Sequence, residues 1–316
     1  MSPILRWNLG NVELAGGAEV VRMPEGLRPN LSADPHITED QKKRLRACEF
    51  WLVQDLLAEE QPSSRPSKTI EQSAIRDLLN TQLAFQIILP RESELIFLTM
   101  WKTKRLDLGS SVYRALEPPH WPRMLWPDNT SASEVRSVVE GVQMAFSTKS
   151  ARLMNPLYFL ELGLQADNAG VRSFLWTTGI DALLVANTEA KFKRRISNLL
   201  GANSYVFPAD GSGRQPIYKV EKLASRMYKL RSLIAHGVEI DESFRRKVGF
   251  QATGGPFPLT GKFLNYLEAD ILNEPALFLL CAILRRIVVS KSLLDLFLVQ
   301  DDWTHALDTA VFPAWP

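Results

Sequence analysis

The sequence predicts a mainly α protein: a C-terminal antiparallel helical bundle preceded by a mostly helical N-terminal region. Three observations carry this expectation. Apolar residues recur at helical spacing wherever a pattern is visible, capping residues stand where those stripes begin and end, and a proline cluster separates two helical stretches. With 46% apolar and 23% charged residues, the 316-residue chain has an ordinary globular composition. That length accommodates one large domain or two modest ones.

Taken in order, Thr38 and Gln41 form a capping box that opens a helix over residues 38–60, with Leu45, Cys48, Trp51, Leu52 and Leu56 as its stripe. A second helix is expected over 69–89, ending at Pro90, which disfavours α geometry in the residue before it. Residues 94–101 are short, apolar and partly β-prone, and there helix and strand remain open. Four prolines between Glu117 and Pro127 exclude a helix interior and mark the seam between regions 1–130 and 131–316. Trp121 and Trp126, beside His120, read there as anchors pinning a loop to a core.

Beyond the seam, Ser131 or Ser133 caps a helix carrying Val135, Val138, Val139, Val142 and Phe146. A helix over 169–186 follows, with Val171, Leu175, Thr178, Ala182 and Val185 at helical spacing. Thr188 caps a short helix over 189–200, which Gly201 closes as a left-handed residue. After a loop over 207–216 comes a helix over 219–236, with Gly237 just past its end. A Gly- and Pro-rich loop over 249–261 leads into a final helix, or two, over 263–298.

Several chemistries are excluded at this level. There is no phosphate-binding Gly-x-x-x-x-Gly-Lys-[Ser/Thr] loop, no dinucleotide Gly-x-Gly-x-x-Gly, no His-Glu-x-x-His and no Gly-x-Ser-x-Gly elbow. The four histidines never fall at ligand spacing, so no metal site and no cofactor is expected. Two distant cysteines, Cys48 and Cys281, exclude a disulfide framework and fit a reducing compartment. The N-terminal segment has no uninterrupted apolar run, and the most apolar stretch, 276–284, is far short of the ~20 residues a bilayer span needs. A cytoplasmic protein without membrane association is the expectation.

One segment concentrates chemistry: Met227-Tyr-Lys-Leu-Arg-Ser-Leu-Ile-Ala-His-Gly237, in which Arg231 precedes His236 by five positions at the end of an amphipathic helix. Around it, residues 189–250 hold 13 basic and 6 acidic side chains, a local +7 within a chain whose net charge is only +2. A protein basic all over is excluded, whereas a focused basic site is not.

Tyr-x-Leu-Arg-Ser-x-x-x-His-Gly resembles the arginine–histidine signature of HEPN domains, in particular the Apea-like branch. Upstream, Trp176-Thr-Thr-Gly-Ile-Asp-Ala-Leu-Leu and Lys191-Phe-Lys-Arg-Arg-Ile-Ser-Asn-Leu-Leu-Gly resemble that branch's preceding helices, so the likeness covers about residues 131–300. Asp181 stands where glutamate is usual, and Ser232 follows the arginine as in this branch. The resemblance implies a HEPN-like antiparallel bundle that forms a homodimer and acts as a metal-independent endoribonuclease, plausible in a defence or toxin system. By the same resemblance His236 is the general acid/base, Arg231 the phosphate clamp and Asp181 an orienting group.

The residue types suit that reaction. Attack of a ribose 2′-OH on its own phosphate needs a base that titrates near neutrality, which histidine as a residue type provides. An arginine fork stabilises the charge that builds on the phosphoryl oxygens. Arg226, Lys229, Arg245 and Arg246 are the expected RNA-backbone contacts. The family also implies an alternative, a non-catalytic RNA-binding or dimerisation module. Five positions along a straight helix place two side chains about 140° apart. Arg231 and His236 therefore converge only if the helix loosens at its end or a second protomer supplies the partner.

Overall fold

The computed structural model describes residues 12–22, 38–39, 43, 50–55, 68–88, 99–101, 111–115, 131–166, 169–204, 219–237, 262–299, 301–310 and 312. The protein is mainly α, with nine α-helices and a single five-stranded sheet among the described residues. It divides into two units, 1–144 and 145–316.

The first unit holds strands β1 (Val12–Glu13), β2 (Ala18–Arg22), β3 (Phe50–Asp55), β4 (Thr99–Trp101) and β5 (Ser111–Ala115), all antiparallel, in the order β1-β2-β3-β5-β4. The register sets Val20 opposite both Val12 and Leu52. Helix α1 (Lys68–Ile88) packs on β3 and β5, burying Leu78, Ala84, Ile87 and Ile88. Helix α2 (Ala132–Ser147) begins where Ser131 Oγ accepts the Glu134 amide, the first of the two expected caps. It buries Val135, Val138, Val139 and Val142, while Arg136 and Gln143 donate to the carbonyls of Glu13 and Ala15. The helix expected over 38–60 does not extend through Phe50, because 50–55 is the central strand β3. Trp51, Leu52 and Val53 are buried in succession, so both faces of β3 are covered and the period-2 signature of a strand is erased. Residues 99–101, open between helix and strand in the sequence, are β4. The proline-rich seam, with His120, Trp121 and Trp126, lies outside the described residues.

The second unit comprises helices α3 (Ala151–Gln165), α4 (Ala169–Leu184), α5 (Glu189–Leu200), α6 (Val220–Ala235), α7 (Lys262–Val289), α8 (Lys291–Val299) and α9 (Trp303–Thr309). Helix α4 is the centre, packed against α3, α6 and α7. Its apolar residues run around the whole helix, as expected of an element packed on several sides, although Val171 near its start is exposed. The buried hydroxyls of this helix are satisfied locally, Thr177 donating to the Ser173 carbonyl at 2.7 Å. Its pairing with α3 is antiparallel: Gly163 faces Trp176, while Gly179, further along α4, faces Phe159 and Pro156, earlier in α3. The Trp176 indole, 1% exposed, donates to the Leu160 carbonyl across this seam.

Helix α5 starts as the sequence predicts, with Thr188 Oγ1 accepting the Lys191 amide. Gly201 ends it at φ +88°, ψ +126°, outside the expected left-handed helical basin but in a region glycine enters without strain. Helices α3 and α9 have no counterpart in the sequence-based expectation.

Candidate functional site

Helix α6 carries the arginine–histidine motif, and its burial shows which way each residue faces. Val220, Leu223, Ala224, Met227 and Leu230 are buried and define the inner face. Lys222, Arg226, Lys229, Leu233 and His236 follow i, i+4, i+7, i+11 and i+14, a stripe along the outer face. Arg231 lies about 180° from the start of that stripe, so it turns inward.

The helix does not loosen before the histidine. It is α through Ala235, and the His236 amide still donates to the Ser232 carbonyl at 3.1 Å. The backbone leaves the α region at His236 itself, φ −92°, ψ +5°, and Gly237 at φ +64° ends the helix as a left-handed residue. Arg231 and His236 therefore remain about 140° apart around the axis, and His236 is exposed. No residue of α6 beyond Leu230 is buried, and Leu233 and Ile234 stay partly exposed.

What Arg231 meets instead is Asp181 on α4. Its Nη2 lies 2.8 Å from Asp181 Oδ2, with the side chains 29% and 18% exposed. The Arg231 guanidinium carbon is also 5.9 Å from the Tyr228 ring centroid, a cation–π distance. Tyr228 in turn tilts against buried Phe192 of α5, with centroids 5.4 Å apart. Burial pushes the Asp181 carboxyl above the usual carboxylate range, opposed by the Arg231 charge and then by the Ala186 backbone. Thus two of the three predicted catalytic residues, Arg231 and Asp181, are brought together, and His236 is not joined to them within this chain.

The chain matches no family model, no curated protein and no solved structure.

The basic residues around the motif divide into two kinds. Arg195, 5% exposed, is structural: its guanidinium holds both Asp308 oxygens at 2.9 and 2.7 Å, and also the Leu184 and Val185 carbonyls at the end of α4. The hydrogen bonds from Arg195 and then Arg194 hold the Asp308 carboxyl well below the usual carboxylate range. Lys193 pairs with Glu221 at 3.0 Å, and Lys229 lies 3.7 Å from Glu189, both exposed contacts of small energetic weight. Arg226 sits half-buried on the outer stripe, and Arg245 and Arg246 lie outside the described residues.

Sequence reasoning missed the Asp308–Arg195 pair, whose partners are 113 positions apart with no spacing to connect them. It also missed the role of Glu189, which accepts from Ser225 of α6. The local signal there, Glu189 and Lys193 at i and i+4, suggests a pair within α5, whereas each residue reaches across to α6.

Among the described residues no cluster of His, Cys, Asp or Glu is arranged to hold a metal ion. Burial pushes the Cys281 thiol up, which removes it from nucleophilic chemistry. No helix among the described residues is long and apolar enough to cross a membrane.

Proposed function

We propose that this chain is a metal-independent endoribonuclease of HEPN type, working as a homodimer in the cytoplasm. The observation that carries this reading is the outer face of α6, where Lys222, Arg226 and Lys229 lead in one line to exposed His236. Those residues span roughly 20 Å of helix, enough to track several phosphates of a single strand. His236 takes the proton from a ribose 2′-OH as that oxygen attacks the adjacent phosphorus. The 5′-oxygen leaves with a proton returned by the histidinium, directly or through water, yielding a 2′,3′-cyclic phosphate and a 5′-hydroxyl end, and an arginine fork stabilises the charge on the phosphoryl oxygens.

Because Arg231 and His236 of one chain diverge, the working site combines Arg231 of one protomer with the histidine of another. The incompletely buried last turn of α6 supports such a second chain: Leu233 and Ile234 project there with the motif. A defence or toxin role fits a nuclease of this kind.

The test is incubation of purified protein with single-stranded RNA in excess EDTA. Cleavage with cyclic-phosphate ends is expected, lost in His236→Ala. Equal cleavage by that variant would remove His236 from the site. A second reading, a non-catalytic RNA-binding or dimerisation module, is favoured by one specific feature: Arg231 is already held by Asp181. That reading expects RNA binding that weakens with salt and with Arg226→Ala or Arg245→Ala, and no product on long incubation.

A further inference from the structure

Two aspartate–arginine pairs of the second unit, Arg195–Asp308 and Arg231–Asp181, are built differently. In the Arg195–Asp308 pair the fork grips both carboxylate oxygens, and a further guanidinium nitrogen is bonded to the Leu184 and Val185 carbonyls. In the Arg231–Asp181 pair a single contact at 2.8 Å joins Nη2 to Oδ2. Arg231 Nε and Asp181 Oδ1 are both buried without a hydrogen bond to each other or to another side chain, and the Ala186 backbone steadies the carboxylate. An arginine fork and a carboxylate can form two parallel bonds, whereas this pair has one close ionic contact. A buried donor left unmet is destabilising, so this pair is held less firmly than a two-bond pair would be.

Tyr228 fixes the arginine from the other side, with its ring 5.9 Å from the guanidinium carbon and backed by Phe192. The Arg231 side chain, with Nε buried, still keeps part of its surface open to solvent. A carboxylate is an oxyanion much like a phosphoryl group in what it offers an arginine: paired oxygens carrying negative charge. A phosphoryl group offers a third oxygen and more charge.

We propose that Asp181 is an internal competitor for the phosphate site at Arg231: it holds the guanidinium in a neutralised resting pair, and an incoming phosphoryl oxyanion engages Arg231 by displacing it. The inference rests on reading Arg231 as a phosphate ligand, and it reverses the role expected for Asp181, from helper to gate. A resting pair of zero net charge does not attract phosphate at a distance. The outer basic stripe gathers the strand first, and Arg231 is released only once a phosphate is adjacent. The burial that already disfavours charge on Asp181 makes the carboxylate easy to give up.

The experiment measures the affinity of the full-length chain for inorganic phosphate and for a non-cleavable 2′-O-methyl single-stranded RNA. It compares the wild type with Asp181→Asn, Arg231→Gln and the double variant. Removing the competing charge is expected to tighten phosphate binding about fivefold, the weight of an ion pair of roughly 1 kcal/mol. The gain should vanish in the double variant. Unchanged or weaker phosphate binding by Asp181→Asn overturns the proposal. A gain for phosphate with no RNA binding by any variant leaves the gate standing and removes the RNA reading. RNA binding without any gain from Asp181→Asn does the reverse. Should Asp181→Asn not fold, the Nε–H resonance of Arg231 in wild-type protein supplies the answer. It must shift on saturation with inorganic phosphate, and a signal that stays in place rejects the gate.

Discussion

At the scale of single residues, two aspartates in one bundle meet arginines on opposite terms. Asp308 is held well below the usual carboxylate range by hydrogen bonds from Arg195. Its contribution to stability is therefore complete at neutral pH and is lost as acid passes below the ordinary aspartate value toward the depressed folded one. Asp181 is shifted the other way by burial. Burial penalises its charged form on folding, so its contribution to stability is greatest below the ordinary value and is lost as pH rises through the raised folded one. Opposite outcomes follow for neutral replacements at pH 7. Asp308→Ala strands the buried Arg195 charge and is expected to cost about 3 kcal/mol in urea unfolding. Asp181→Asn removes a charge that burial penalises and leaves Arg231 partly exposed, and its unfolding midpoint should be no lower than wild type. A loss comparable to that of Asp308→Ala would mean that the Arg231 pair is a structural tie and not a releasable one. Arg231 was singled out beforehand by its spacing from His236 and Asp181 by a resemblance alone, and neither signal foretold that the two would pair. The Asp308 partnership was not, because a contact between distant helices leaves no trace in local spacing.

At the scale of elements, what could be read depended on whether burial was one-sided. Helices α5 and α6 present one inner and one outer face, so the helical period and the Thr188 cap revealed them almost to the residue. Strand β3 is covered on both faces, and Trp51-Leu52-Val53 reads equally well as part of a helical stripe. Helix α3 passed unseen for a related reason: it is rich in apolar residues and carries Pro156 inside it, a residue that argues against a helix interior. The close seam between α3 and α4 depends on Gly163. A Cβ there would sit 2.1 Å from Trp176 Nε1 and 2.6 Å from its Cδ1, and Trp176 is itself fully enclosed. Gly163→Ala must push the indole out of its slot or open the helix pair. It is expected to destabilise by about 3 kcal/mol, the upper end for overpacking, because the neighbour that must move is large and hydrogen-bonded. The same substitution at Gly237 meets no atom within 4 Å and strains only the positive φ, so its cost should stay near 1 kcal/mol. Chemical unfolding of both variants checks the contrast.

At the scale of the whole molecule, the near-neutral net charge of +2 conceals a basic segment that other parts of the second unit partly neutralise. Asp308 takes Arg194 and Arg195, and Asp181 takes Arg231. Outward on α6 runs the line of Lys222, Arg226 and Lys229 that ends at His236, with Arg231 on the other side of the helix. An arrangement that separates the two halves of a motif can work only if something outside the chain reunites them. A second copy related by a two-fold axis is the simplest such partner, since each protomer then lends a histidine to the other's arginine. Subunit mixing tests this directly. Arg231→Gln and His236→Ala homodimers are each expected to be inactive against single-stranded RNA. When the two variants are unfolded together and refolded at equal concentration, half of the dimers are mixed. Each mixed dimer regains one intact site of two, built from the arginine of one subunit and the histidine of the other. Activity should therefore return to about a quarter of wild type, provided the sites act independently. A site formed within one chain predicts no recovery, because neither variant carries both residues. Persistent inactivity of the mixture, with mixed dimers demonstrated by mass, would leave Arg231 and His236 without a shared reaction.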